Sequence, residues 1–303
     1  MNRPTIRQLE YVVALADQRS FHRAAAACFV TQPALSTQIA AIEGQLGMKL
    51  FERVRPAVTL TPAGEEIVRR ARVVLGEIDA LAAAAVSFTK PLSGPLRLGV
   101  IPTVAPFVLP RVLPPLRRRY PELRLFLHEE RTPDLVEKIR SGRLDVGLLA
   151  LEADLGDLET LALCRDRFVV AVPAAHALAK RSSVTQRDLR GEEVLLLEDG
   201  HCLRDQALEV CRSAGATEVG DFRAASLGTL TEMVANGIGV TLLPRLAVAA
   251  PRSLPREVVI RPFRAPEPYR TIGLAWRRTS PRKRDFQLLG DVIRSVVKRN
   301  SAD

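Results

Sequence analysis

None of the four cysteines stands in a Cys-x-x-Cys pair, which argues against a zinc knuckle. So few thiols in a chain this long do not make a secreted disulfide framework either. In a reducing compartment the resting expectation is free thiols, with any disulfide conditional, and no metal or cofactor is expected. No stretch approaches the roughly 20 apolar residues that cross a bilayer. Met1-Asn2-Arg3-Pro4-Thr5 leads straight into a mixed polar and apolar pattern, so no membrane partner is indicated and a cytoplasmic location is expected. At 303 residues, with 47% apolar and 26% charged side chains, the chain has enough material for two or three compact units.

What is abundant is positive charge. A net charge of +10 and a pI near 10.1 invite a nucleic-acid partner, because lysines and arginines displace phosphate counterions. The charge does not locate the contact, however. Residues 1–60 hold seven basic and four acidic side chains, whereas residues 277–299 hold eight and two. The helix pattern has to identify the reading element.

Thr5 with Gln8 fits a capping box, and Ile6, Leu9, Val13 and Ala16 follow at helical spacing. Ser20 can cap a second, short helix through Phe21, Ala24, Ala25 and Cys28, whose alanines allow close approach of another helix. After a tight connection at Phe29-Val30, Thr31 caps a third helix with Pro33 in its first turn. Leu35, Ile39, Ile42 and Leu46 line one face before Gly47 stops it. The other face offers Gln32, Ser36, Thr37 and Gln38. Two helices joined by a short turn, the second with small hydrogen-bonding side chains at its exposed start, fit a major groove. Arg53, Arg55 and Pro56 then precede a short strand, Val58-Thr59-Leu60, which reads as a basic wing on phosphates. The DNA-contacting set is therefore Thr31, Gln32, Pro33, Ser36, Thr37, Gln38, Arg53 and Arg55. By pattern alone an ordinary three-helix bundle with a solvated polar face fits equally.

Thr61-Pro62 opens a further helix, with Glu65 and Glu66 near its positive end. Ile67, Ala71, Val74, Ile78, Leu81 and Ala85 alternate steps of four and three, a coiled-coil seam that needs a partner. A dimer would present two reading helices to a pseudo-palindromic site.

Leu9-Glu10-Tyr11, Ser20-Phe21, Ala24-Ala25, Thr31-Gln32-Pro33-Ala34-Leu35-Ser36, Ile39, Glu43, Leu46-Gly47, Leu50-Phe51-Glu52-Arg53 and Leu60-Thr61-Pro62-Ala63-Gly64 resemble the winged helix-turn-helix of LysR-type transcriptional regulators. The later segments resemble that family as well. The resemblance implies an N-terminal all-α winged helix-turn-helix, residues 1–60, and a linker and dimerisation helix, 61–89. A hinge, 90–95, and a C-terminal two-lobed α/β effector domain like periplasmic binding proteins, 96–303, would follow. It also implies assembly as a dimer or homotetramer on double-stranded DNA.

Beyond the hinge, short apolar runs at 96–100, 123–127, 146–150, 168–172, 194–197 and 240–243 alternate with helix-sized segments. That is an α/β pattern, expected to form mainly parallel sheets. Such sheets place ligands beyond the carboxyl ends of their strands, which selects the loops beginning at Thr103, Thr132 and His201.

In Leu195 to Cys211 a buried strand ends, a Gly-containing turn follows, and Cys202 lands at the start of a helix. Helix N-termini and nearby cations favour the nucleophilic thiolate, and His201 and Arg204 are candidate donors. A thiolate that attacks peroxide becomes a sulfenic acid, which a second thiol, Cys211 being the obvious one, can convert to a disulfide. If 202–211 form one helix, nine steps of ~1.5 Å put the two Cα atoms ~13–14 Å apart. A disulfide requires less than ~7 Å, so oxidation would have to remodel the helix. Position alone leaves open that both cysteines are inert small hydrophobes. Cys28 reads as core of the DNA reader and Cys164 as a strand residue, neither with a polar constellation around it.

Glu198-Asp199-Gly200-His201-Cys202-Leu203-Arg204-Asp205-Gln206-Ala207, with a cysteine nine residues after Cys202, is closely similar to the peroxide-sensing members of the same family. So are Ile101-Pro102-Thr103-Val104, Leu127-His128-Glu129, Arg131-Thr132, Glu267-Pro268 and Arg270-Thr271-Ile272-Gly273-Leu274. This resemblance implies Cys202 as peroxidatic and Cys211 as resolving thiol, with Thr103, Thr132, His201 and Arg270 around hydrogen peroxide, stabilising the leaving oxyanion. It also implies a redox-switched regulator of antioxidant genes, partnered by RNA polymerase and a thiol reductant. The alternative keeps the architecture, gives the cleft to a small metabolite and makes the cysteines structural. A thiol peroxidase is disfavoured because such an enzyme needs neither a reading helix nor a coiled-coil seam.

Overall fold

The computed structural model describes residues 3–54, 57–87, 90–249 and 254–298. Two compact units divide the chain: Met1–Ala85 with Arg140–Arg143, and Val86–Ile139 with Leu144–Asp303.

The first unit is built from α1 (Ile6–Gln18), α2 (Phe21–Ala27), α3 (Gln32–Leu46), the hairpin β1 (Phe51–Val54) and β2 (Ala57–Leu60), and α4 (Pro62–Ser87). The expected caps form. Thr5 and Gln8 make a reciprocal capping box, Ser20 accepts from the Arg23 amide, and Thr31 accepts from the Ala34 amide at 3.4 Å. Gly47 ends α3 at φ +68. Leu15, Ala24, Leu35, Ile42 and Leu50 fill the core. Inside it Glu43 accepts from the Leu50 and Phe51 amides at 2.9 and 3.3 Å and from Lys49 Nζ at 2.7 Å. Burial alone would raise the Glu43 carboxyl, but these donors together hold it below its ordinary range. Gly64 is required for a different reason: a Cβ there would lie 2.0 Å from the Leu50 carbonyl oxygen.

Two expectations shift. The wing is a strand pair in the register Phe51↔Leu60, so Arg53 precedes Val58-Thr59-Leu60 as expected but from within a strand of its own. On α4, Ala71 is buried and Ile67 packs against the unit's own core, while Val74 and Leu81 are exposed. The first turns of the predicted seam thus serve the unit itself, while Ile78 is half-buried and the side chain of Ala85 lies outside the described ones.

The second unit contains β3 (Gly94–Val100), α5 (Ala105–Arg119), β4 (Leu123–Glu129), α6 (Thr132–Arg140), β5 (Val146–Ala150) and β6 (Glu159–Pro173). After these come β7 (Glu193–Leu197), α7 (Cys202–Ala214), β8 (Thr217–Ala224), α8 (Leu227–Ala235), β9 (Thr241–Pro244), α9 (Arg245–Val248), β10 (Val258–Pro262), β11 (Tyr269–Trp276) and α10 (Lys283–Lys298). The main sheet runs β10-β6-β11-β5-β3-β4, with β9 also on β6, and β7 and β8 form a separate pair.

Two apolar cores define two lobes. One gathers β3, α5, β5, β11 and α10 around Leu98, Leu148 and Trp276; the other gathers β7, α7, α8 and β9 around Phe168, Leu195 and Leu242. Strand β6 serves both, pairing with β11 up to Arg167 and with β10 and β9 from Phe168 onward.

The pairing is mixed rather than mainly parallel: β3 with β4, β3 with β5 and β7 with β8 are parallel, whereas β6 and β11 make only antiparallel pairs. Strand β6 carries Arg165-Asp166-Arg167 ahead of its apolar run, and so lacks the continuous apolar pattern that marks a buried parallel strand. The expected hinge is also tied down. Leu92 is buried and donates its amide to Asp285 at 3.0 Å, and Gly94 already begins β3. Among the described residues no single helix is long and apolar enough to cross a membrane.

Candidate functional site

Strand β7 delivers the chain to Gly200, which sits at φ +89, and a Cβ there would meet Arg131 Cδ at 3.2 Å. Glycine is needed on both counts. His201 is the N-cap of α7 without a side-chain capping bond, and Cys202 opens the helix. Cys211 lies on the same helix, which ends at Gly215. Both thiols are free and buried. They pack into different cores, Cys202 into that of the first lobe and Cys211 into that of the second. Burial, followed by the nearby Glu218 carboxylate, pushes the Cys211 thiol up to about 11.

Arg204 does not play the part expected of it. Its guanidinium donates to Asp199 at 2.9 Å, to Glu218 at 2.7 Å and to the Leu197 carbonyl at 3.3 Å. Two carboxylates and a carbonyl thus engage it, because α7 has to be fastened to the loop before it and to β8. Arg131, the residue before α6, adds a second clamp to the sulfur loop, through Glu198 at 2.7 Å and the Asp199 carbonyl at 3.1 Å. Gln206 reaches Glu152 at 3.3 Å, and Glu152 accepts from the Thr271 amide at 2.6 Å. None of the acidic partners was identified from the sequence.

Of the other predicted residues, Thr103 and Arg270 are brought together. Arg270 is fully buried; its Nη1 donates to Thr103 Oγ1 at 2.9 Å, its Nη2 to the Thr103 carbonyl at 3.2 Å and its Nε to Asp166 Oδ2 at 3.0 Å. Asp166 is equally buried and takes the Leu246 amide on Oδ1 at 3.0 Å. Burial pushes its carboxyl up, against the opposing pull of Arg270 and that amide. Asp166 was missed. The available signal was strand parity, since Cys164, Asp166 and Phe168 alternate with the exposed Arg165 and Arg167.

Thr103 and His201 line one cavity of about 680 Å³ together with Pro102, Phe107, Glu129 and Leu197. Thr132 begins α6 and is buried, but does not line that cavity. The Thr132 hydroxyl and His201 Nε2 are buried with no hydrogen-bond partner among the described residues. Such groups normally have one. Burial, and next the Arg131 charge, lower the His201 imidazole, opposed by Glu198. That bias favours the neutral imidazole, a donor at one nitrogen and an acceptor at the other.

On the reading helix, Gln32, Pro33, Thr37 and Gln38 are exposed and Ser36 is half-buried. Thr37 Oγ1 donates to the Pro33 carbonyl at 3.0 Å, and Gln38 accepts from Gln8 at 3.3 Å. Arg55 lies outside the described residues. Cys28 closes α2 and is buried. Cys164 departs from expectation: burial, and then Asp166, push its thiol up to about 11, so it does lie beside a polar pair.

The model for the LysR-family bacterial regulatory helix-turn-helix protein matches residues 6–65, and that for the LysR substrate binding domain matches residues 89–298. The DNA-binding transcriptional dual regulator OxyR of Escherichia coli K12 is 46% identical over 291 residues, covering 96% of this chain and 95% of that protein. Among solved structures, full-length OxyR from Pseudomonas aeruginosa carrying a Cys-to-Asp substitution aligns with a TM-score of 0.81 at 39% identity, over 96% of this chain and 98% of that one. A hydrogen-peroxide-bound Cys-to-Ser mutant of Corynebacterium glutamicum OxyR aligns with a TM-score of 0.69 at 31% identity, over 99% and 95%.

Proposed function

Because the chain belongs to the LysR family of bacterial helix-turn-helix regulators, we propose that it is a DNA-binding activator of antioxidant genes that senses hydrogen peroxide through a reversible Cys202–Cys211 disulfide. The observation that carries this reading is the pairing of two buried free thiols on one helix with the orphaned His201 Nε2 and Thr132 hydroxyl. Hydrogen peroxide is small, neutral, and both donor and acceptor, which is what such unpartnered groups can satisfy. In the reaction the Cys202 thiolate attacks one peroxide oxygen, the O–O bond breaks and hydroxide leaves. Thr103, held by Arg270, stabilises that charge with Thr132 and His201. The Cys202 sulfenic acid then meets the Cys211 thiol; the S–S bond forms and water departs. Overall two thiols and one peroxide give one disulfide and two waters, and a thiol reductant reverses the change.

The functional division is a reader at 1–60, a dimerising linker at 61–89, a joint at 90–95 and a sensor at 96–303. Thr31, Gln32, Pro33, Ser36, Thr37 and Gln38 address base edges, and Arg53 and Arg55 the backbone of a pseudo-palindromic site. A dimer, doubled to a tetramer, binds there and works with RNA polymerase. The test is promoter occupancy and free-thiol content with and without micromolar peroxide, for wild type and Cys202→Ser. Peroxide is expected to change both in wild type only; an equal response in the two proteins overturns the reading.

One observation favours a second reading: the cleft, at about 680 Å³, is of the size that organic ligands occupy, ~300–1,000 Å³. A metabolite-bound regulator with structural cysteines would be stabilised by an organic acid, and its DNA binding would survive thiol alkylation.

A further inference from the structure

A separate groove of about 360 Å³ is lined by Arg165, Arg167, Arg245, Leu246, Glu267 and Tyr269, with Asp166 in its wall. We propose that it binds a small oxyanion, a carboxylate or a phosphate, and that its occupancy is coupled to the sulfur site through Asp166.

The charge is uneven and poised. The Arg165 guanidinium stacks over the Tyr269 ring at 4.8 Å, a contact that orients the planar fork while leaving its N–H donors unused. Neither Arg165 nor Arg245 has an ion-pair partner among the described residues, and Arg167 shares its charge with Glu267 at 3.1 Å. Arg165 and Arg167 alternate with Asp166 along β6, so both stand on the outer side while the carboxylate is turned inward. Asp166 does not cancel them, because Arg270 and the Leu246 amide already occupy both of its oxygens. Two uncommitted arginine forks around a concave surface match the geometry of carboxylate and phosphate oxygens.

The coupling follows from three consecutive bonds. Leu246, in the groove wall beside Arg245, donates to Asp166 at 3.0 Å; Arg270 donates to the other oxygen of Asp166 at 3.0 Å; and Arg270 donates to Thr103 at 2.9 Å. An anion drawn to Arg245 displaces the Leu246 amide, and the carboxylate that orients Arg270 moves with it. Where the anion shifts the equilibrium between reduced and oxidised forms, oxidation alters anion affinity by the same factor.

The experiment uses the reduced full chain, titrated with citrate and, separately, with inorganic phosphate against potassium chloride of matched ionic strength. Tm and the rate of Cys202 sulfenic acid formation are both followed. At least one anion should raise Tm saturably and change the oxidation rate in step with that saturation; which one does so distinguishes a carboxylate ligand from a phosphate. Arg165→Ala and Arg245→Ala, both at exposed positions, should lose both responses while oxidising at the wild-type rate without anion. No saturable response, or one that persists in the variants as binding in the Thr103 cleft would, overturns the site; saturable binding with an unchanged oxidation rate overturns the coupling. The rate measurement rests on the peroxide-sensing reading and the Tm measurement does not. Anion binding by a chain whose Cys202 ignores peroxide would therefore uphold the site and refute the sensor.

Discussion

Cys202 and Cys211 share helix α7 but are buried in different hydrophobic cores, one in each lobe of the sensor unit. Nine helical steps of ~1.5 Å separate them by ~13–14 Å, about twice the reach of a disulfide. Joining them has to unwind the helix and pull at least one sulfur from its core. In Cys211→Ser the sulfenic acid has no partner, so it should persist and be trapped by a sulfenic-acid probe. Wild type should instead lose amide protection along 202–211 in hydrogen exchange after peroxide. Unchanged protection in the oxidised protein would contradict this.

Thr132 separates function from stability. Its hydroxyl is buried and unpartnered, so Thr132→Val removes an unsatisfied polar group and should leave Tm unchanged or raise it slightly, an unsatisfied group costing ~1–3 kcal/mol. If the hydroxyl serves peroxide, the same variant should oxidise at Cys202 ~10- to 100-fold more slowly, as when an oxyanion donor is lost. Stopped-flow oxidation and calorimetry on one preparation check both.

Asp166→Asn should be severe. It leaves Arg270 a fully buried cation without its counter-charge, a change worth roughly 3–5 kcal/mol of folding stability. Urea unfolding is expected to show that loss, and Asp166→Asn with Arg270→Met should recover much of it, though not the oxidation rate.

The thiol of Cys211 makes stability depend on pH on the alkaline side. Its folded pKa is raised to about 11 from an ordinary 9.0, so the folded state holds the proton longer than the unfolded one. The associated stability is fully present below pH 9 and is lost as pH rises through about 11, by roughly 2–3 kcal/mol at ~1.4 kcal/mol per pH unit. Cys164 adds a similar slope in the same window. Denaturation of reduced protein between pH 8 and 11 should show the decline, and Cys211→Ala and Cys164→Ala should each flatten it.

Leu81 tests assembly. It is 76% exposed on α4, at a position of the expected coiled-coil seam. Leu81→Lys is expected to shift sedimentation toward smaller species and to weaken promoter binding while sparing peroxide oxidation of Cys202. Unaltered sedimentation would remove the seam from the dimer.

The sequence revealed whatever depends on local chemistry. Thr5, Ser20 and Thr31 cap where they were expected to, because a cap is decided within three residues. The sulfur helix was legible for the same reason, from a strand end, a left-handed glycine and the cysteine after it. Asp166, Glu198 and Glu218 were not legible, since each matters only through a partner 14 or more residues away that folding brings beside it. Arg204, read as a candidate donor near the sulfur, is engaged by Asp199, five residues before it, and by Glu218, 14 residues after it. Strand β8 escaped because its few apolar residues stand between charged and polar ones, and β11 because it opens on Tyr269-Arg270-Thr271 and its buried run is interrupted by Gly273.

Strand β6 crosses from one lobe to the other as one continuous strand, paired with β11 up to Arg167, with a register shift at Ile272–Gly273, and with β9 and β10 beyond it. Such a rail resists the hinge-like gaping by which a clam-shell receptor admits a bulky guest. The aperture before Thr103 is therefore expected to keep its width, and a change at the sulfur site to pass outward through the remodelling of α7.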